Sequence, residues 1–168
     1  MHPRSRLAAL ILGLAVIGAA AAFSAPARSQ GAGEGLIVKK SAFGATKTLD
    51  RLGIALKRAG LTIFARVKHQ AGAKKVGLDL RPTELLIFGN PKMGTPLMQA
   101  NPAIGLDLPL RAVAWEDKDG TAYLAYTDPA ALKARYGITG RDALFAKMTG
   151  ALKKFTDIAT TKGALPKR

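Results

Sequence analysis

Arg81–Gly120 reads RPTELLIFGNPKMGTPLMQANPAIGLDLPLRAVAWEDKDG, and the fold turns on it. The run Leu85-Leu86-Ile87-Phe88 is short, apolar and bounded by turn residues, the pattern of a strand buried on both faces. Gly89-Asn90-Pro91 breaks it. The next stretch carries Gly94, Pro96, Pro102, Gly105 and Pro109 and reads as a long loop over 89–109. Loops of that length inside a compact domain are more often functional than ordinary ones. Regular structure resumes as a strand from Leu110 to Glu116, turns at Asp117-Lys118-Asp119-Gly120, and returns as a strand from Thr121 to Thr127. Asp-Gly between two such runs signals a hairpin.

Upstream, Leu36-Ile37-Val38 starts a strand expected to run to Phe43. A helix follows, with Thr46 or Thr48 as its cap, Asp50 in its first turn, and Leu49, Leu52 and Leu56 on one stripe. Gly60 stands where a left-handed cap ends such a helix. Leu61, Ile63, Ala65, Val67 and His69 alternate with Thr62, Phe64, Arg66 and Lys68, which places His69 at the end of a strand's apolar row. Gln70–Leu80 reads as a short helical turn. Downstream, Asp128-Pro129 opens a helix that Gly137 stops, and Thr139 with Asp142 opens a last one along Leu144, Met148, Ala151, Phe155 and Ile158. The order β, α, β, short helix, β, loop, β, β, α, α defines an α+β fold, a mostly antiparallel sheet with helices packed on one face.

The ends are of a different kind. Arg4 and Arg6, the apolar run Leu7–Phe23 and Ala25-Pro26-Ala27 have the three parts of a signal peptide over residues 1–27. A flexible linker at 28–35, a single domain at 36–160 and a basic tail at 161–168 complete the division. Export implies a periplasmic or secreted protein and argues against nucleic acid as a partner. Of 26 basic residues, Arg4 and Arg6 leave with the leader, so 24 face 11 acids, a net charge of about +13. That excess favours a small anionic ligand, an acidic protein partner or an anionic membrane surface. With no cysteine, stability rests on the core, and thiol chemistry is excluded.

Several motifs in order carry a family resemblance: His69-Gln70-Ala71-Gly72-Ala73, Leu80–Lys92 (LRPTELLIFGNPK), Gly94-Thr95-Pro96-Leu97-Met98, Leu106-Asp107-Leu108-Pro109-Leu110 and Trp115-Glu116-Asp117. Over Thr46–Tyr136 the chain resembles the domain-of-unknown-function family 302. The resemblance implies a TATA-binding-protein-like fold, β-α-β4-α, with no implication of DNA binding. It also implies a homodimer and supplies no activity.

His69 is the one histidine after the leader, so no multi-histidine zinc site is available. Phosphate-binding loops, dinucleotide fingerprints and nucleophile elbows are missing as well, and the sequence assigns no cofactor and no metal. His69 and Asp107 form a candidate acid–base pair if their segments meet, with Asn90 supplying an amide; the plainer alternative is a structural histidine and an aspartate that caps its own turn. Asn90-Pro91 is first of all turn chemistry. Alternatively, Gly94 and Thr95 present backbone N–H groups to an anion, flanked by Lys92 and Arg111. Met93, Leu97 and Met98 belong to the core, to a dimer contact or to an adaptable binding surface. Two of these methionines with His69 also match a soft copper(I) site. The leading expectation is a non-catalytic ligand- or partner-binding module with a groove at 89–109. The alternatives are an isomerase- or lyase-type enzyme using His69 and Asp107, and a salt-sensitive binder of anionic surfaces.

Overall fold

The sheet has five strands, and every pairing in it is antiparallel. In the computed structural model, which describes residues 35–165, they are β1 (Leu36–Lys40), β2 (Thr62–Lys68), β3 (Thr83–Gly89), β4 (Leu110–Glu116) and β5 (Ala122–Thr127), in the order β1-β5-β4-β3-β2. The leader at 1–27 and residues 28–34 of the linker lie outside the described residues. Gly35 belongs to the fold: its carbonyl accepts from the Asp128 N–H at 2.8 Å, and its φ of +80° suits glycine.

Five α-helices lie among the described residues: α1 (Ala45–Arg58), α2 (His69–Lys75), α3 (Pro91–Ala100), α4 (Pro129–Arg135) and α5 (Asp142–Thr160). The α+β expectation holds, with α1 and α5 packed on the same side of the sheet. Leu49, Leu52 and Leu56 of α1 are fully buried against Leu86, Phe88, Ala112, Ala114 and Leu124, and Leu152 and Ala159 of α5 close the cluster. Each such leucine contributes about 1.5–3 kcal/mol. A second cluster joins Leu97 of α3 to Ile104, Leu132, Ile138, Phe145 and Met148.

Several local expectations are corrected. β1 stops at Lys40 rather than Phe43. Neither Thr46 nor Thr48 caps α1. Its N-cap is Gly44, and the Ala45 N–H donates to Glu116 Oε1 at 2.9 Å, so a β4 carboxylate takes the capping role. The two threonines serve elsewhere, Thr46 on Glu84 and Thr48 on Ser41. Thr139 does not cap α5, which starts at Asp142 after Arg141. The tail is held at its start, because Arg51 donates to the carbonyls of Ile158, Thr161 and Gly163. Asp128 and Gly60 act as read: Asp128 accepts from the Ala130 N–H at 2.9 Å, and Gly60 has φ +77°.

The largest correction concerns 89–109, which is helical. Asn90 caps α3 by accepting from the Lys92 N–H, with Pro91 in the first turn. Asn101 repeats the device, accepting from the Ala103 N–H ahead of the 3-10 helix Pro102–Leu106. Each Asn-Pro pair is thus a helix start. The second correction is in β2. The pairing register shifts between Ile63 and Ala65, so Phe64 sits in a bulge and the alternation does not run through. Ile63 packs toward the helices, but after the bulge Arg66 takes that side, and Ala65 and Val67 turn to the other.

Among the described residues, that other side of the sheet carries no helix. Val67 pairs with Leu85, Leu85 with Val113, Val113 with Ala125 and Ala125 with Val38, so one apolar residue from each strand forms a row across it. Trp115 and Tyr123 stack beside the row, with ring centroids 5.5 Å apart. β3 has the both-faces-apolar pattern, yet among the described residues only its helix side is covered.

Candidate functional site

A cavity of about 550 Å³ opens where the β3 end of the sheet meets α3 and α5. Its floor is Phe88, Gly89 and Leu110. Pro91, Met93, Gly94 and Met98 of α3 make one wall, with Leu108 and Pro109 behind them. Lys147, Met148, Ala151 and Phe155 of α5 make the opposite wall, and Ala59 and Leu61 close the side. The bulge turns Phe64 toward the mouth: a Cβ built on Gly89 would lie 3.7 Å from the Phe64 ring and 3.4 Å from Pro109 Cβ. Phe64 is 54% exposed and Met98 37%, so large apolar groups meet water at the opening. The volume falls within the range of small-molecule sites, about 300–1,000 Å³. Lys147 is the one charged side chain in the wall, and the lining contains no His, Asp, Glu, Ser or Cys.

The residues expected at 89–109 divide. Asn90, Gly94 and Thr95 line the cavity, but not as an anion nest. The Gly94 N–H donates to the Asn90 carbonyl at 3.0 Å, and the Asn90 side chain is taken up as the α3 cap. Lys92 is exposed and is not among the lining residues, and Arg111 is paired with Asp107.

His69 and Asp107 are not brought together. His69 opens α2 instead of closing a strand. Its neighbour Lys68 pairs with Glu84 at one end of β3, whereas Asp107 precedes Leu110, which pairs with Phe88 at the other. The acid–base pair and the methionine–histidine copper site both fail on this separation. Among the described residues no group of three His, Asp or Glu side chains is placed to hold a metal. Asp107 is instead a staple. Tyr136 Oη donates to it at 2.6 Å, Arg135 at 2.8 Å and Arg111 at 2.6 Å. The Tyr136 hydrogen bond, assisted by the two guanidinium groups and outweighing partial burial, holds the Asp107 carboxyl below its ordinary value. The same bond raises the Tyr136 phenol.

At the His69 end lies a second polar cluster. Glu84 is 1% exposed and accepts from Thr46 Oγ1 at 2.6 Å, Arg66 Nε at 2.6 Å and Gln70 Nε2 at 3.2 Å. Burial alone would raise the Glu84 carboxyl; the hydrogen bonds from Thr46, Arg66 and Gln70 together outweigh it and leave it lowered. Arg66 also pairs with Asp50 and donates to the Thr46 carbonyl, so the network is satisfied and ties α1, β2, α2 and β3. Its role is structural.

Sequence reasoning missed the cavity's far wall and mouth. Met148, Ala151 and Phe155 read as core residues at helical spacing, and Phe64 as a surface residue of an unbroken strand. The signal for the bulge was present: an unbroken alternation puts Phe64 and Arg66 on one face, and Glu84 inside an apolar strand calls for a cation.

The arrangement is that of an α+β module with an apolar, single-lysine cavity under the edge of its sheet. Residues 37–155 match the family model described as "Domain of unknown function DUF302", and the chain belongs to that family. A crystal structure described as an uncharacterized conserved protein DUF302 from Bacillus stearothermophilus superposes with a TM-score of 0.67, covering 76% of this chain and 99% of that one at 20% identity, which supports the fold alone. Among curated proteins, the chain is 48% identical over 118 residues to a protein named Fluoride-specific ion channel FluC 1 of Brucella suis biovar 1 (strain 1330), covering 69% of this chain and 46% of the relative. A protein of the same name from Brucella abortus biovar 1 (strain 9-941) is also 48% identical over 118 residues, with 44% of its length covered. The chain therefore spans less than half the length of these curated relatives. Among its described residues, no helix is long and apolar enough to cross a membrane.

Proposed function

We propose that this protein is a non-catalytic binding module, exported as its leader pattern suggests, whose ligand is a small molecule with an apolar body. The carrying observation is the cavity's lining: apolar side chains on every wall, three of them methionines, and no acid–base pair or paired nucleophile. Such a lining recognises by shape and by burial of apolar surface, at about 25 cal/mol per Å². Methionine walls adapt to the outline of what enters. This changes the expected ligand from a small anion to something chiefly apolar, while keeping the groove at 89–109. Titration of the protein with a fluorescent apolar dye, then displacement by dodecanol, tests it. Binding to the wild type with at least tenfold weakening in Ala151→Phe, which fills the space between the walls, is expected. Equal binding by both forms would place the ligand elsewhere.

We infer a homodimer from the open side of the sheet. No helix among the described residues covers the apolar row Val67–Leu85–Val113–Ala125–Val38. Strands about 4.8 Å apart and about 3.3 Å per residue make this face roughly 24 by 20 Å. That projection of about 480 Å² is the greater part of the ~800 Å² per partner of a standard interface. A second copy offers the same apolar row. Sedimentation velocity that shows only monomer at micromolar concentration would remove this assignment.

A further inference from the structure

We propose that the ligand of the cavity is a long-chain carboxylate whose head lies on Lys147. This rests on the cavity being a ligand site and goes one step further, to the ligand's class. Lys147, Ala151 and Phe155 follow at four-residue spacing on α5 and all line the cavity, so they lie along one helix face. Lys147 thus heads an otherwise apolar stripe along α5. Lys147 is exposed and has no ion-pair partner among the described residues. The acids close in sequence to the lining residues are already engaged: Asp107 with Arg111, Arg135 and Tyr136, Asp142 with Lys133, and Asp157 with Lys39 and Lys153. An incoming carboxylate therefore finds one free cation and no free acid in the wall.

Size agrees with this class. A volume of about 550 Å³ holds roughly 18 groups of water size at ~30 Å³ each. A methylene is of that order, so a chain of twelve to sixteen carbons fits. A single lysine in an otherwise apolar lining matches a monoanionic head. A phosphate is better served by an arginine fork, and none lines this wall.

The test uses the full chain and compares dodecanoate with dodecanol by isothermal titration, in wild type, Lys147→Gln and Lys147→Arg. The wild type is expected to prefer dodecanoate about five- to tenfold. Lys147→Gln should bring that ratio to about one, and Lys147→Arg should restore most of it. Shortening the carboxylate by one methylene should weaken binding about fourfold while the chain remains buried. If both ligands bind but the preference is absent or survives in Lys147→Gln, the head-group assignment is overturned and the cavity remains a ligand site. If neither binds the wild type, both assignments fall. Binding to phosphatidylglycerol vesicles without uptake of free dodecanoate would overturn this proposal in favour of a membrane surface.

Discussion

His69 and Asn90 bracket strand β3 from opposite ends. Lys68, just before His69, pairs with Glu84, and Asn90 directly follows Gly89, which pairs with Thr62. Five residues of rise lie between Glu84 and Gly89, so the imidazole and the α3 cap are separated by roughly 15–20 Å. His69→Ala is therefore expected to leave dye and alkanol affinity within twofold of wild type. As an exposed helix-start residue it should also change stability by less than about 0.5 kcal/mol. Affinity and urea midpoints of the variant check both statements, and a tenfold loss of binding would return the histidine to the site.

The Glu84–Arg66 pair predicts acid sensitivity with a defined sign. The folded carboxyl is held below its ordinary value, so the network contributes fully above the unfolded value of about 4.3 and is lost as pH falls through the lower folded value. Asp107, lowered in the same sense, loses its staple over the corresponding acid range. Glu84→Gln should cost about 2–3 kcal/mol at pH 7. That lies below the ~3–5 kcal/mol of a fully buried pair because Arg66 keeps Asp50 and contact with water. Urea melts from pH 7 to pH 3 should show a shallower decline for the variant than for wild type.

A helix cap provides a smaller test. Asp128 accepts the Ala130 N–H at 2.9 Å in front of Pro129. Asp128→Ala should cost about 1 kcal/mol, while Asp128→Asn should recover most of it. Thermal melts of the two variants separate loss of the cap from loss of charge.

The open sheet face gives a prediction about assembly. Val113 sits in the middle of the five-strand row, paired with Leu85 on one side and Ala125 on the other. Val113→Lys places a charge at the centre of the inferred contact and should convert a dimer to a monomer, whereas Ile54→Lys on the outer side of α1 should not. Sedimentation velocity of both variants distinguishes a specific interface from general apolar association.

How much was legible follows from which signals are local. Asp128-Pro129, Gly60 and the Asp117–Gly120 turn depend on neighbouring residues, and each was readable directly. The 89–109 segment also carried local signals, but they compete. Asn90-Pro91 and Asn101-Pro102 are helix starts, while Gly94 and Pro96 weaken helix, Pro96 by removing an N–H the helix interior would use. Packing decides: Leu97 and Ile104 are fully buried in the second core cluster. The β2 bulge and the Glu116 cap on Ala45 depend on partners 71 positions away or across the sheet, and no window of sequence contains them. The cavity is of the same kind. The 89–109 wall was located, but its depth comes from α5, whose first lining residue, Lys147, lies 38 positions past Pro109, so its apolar character was not visible from the loop alone.

Gly94 separates a site from a core, because the two differ there in what happens to affinity. It lies inside α3, where glycine is about 1 kcal/mol less favourable than alanine. A Cβ at this position would meet Leu108 Cδ1 at 3.7 Å and Met98 Cε at 4.0 Å, both ordinary contacts. Gly94→Ala should therefore stabilise the fold by about 0.5–1 kcal/mol while projecting a methyl group into the cavity. Gly94→Leu extends further and should weaken dodecanol at least tenfold. If the cavity were only a packing defect, filling it would raise stability and nothing else would change. A binding site shows the two effects together, stability up and affinity down, in thermal melts and titrations of the same variants. Stabilisation without any loss of affinity would show that the space between α3 and α5 does not hold the ligand.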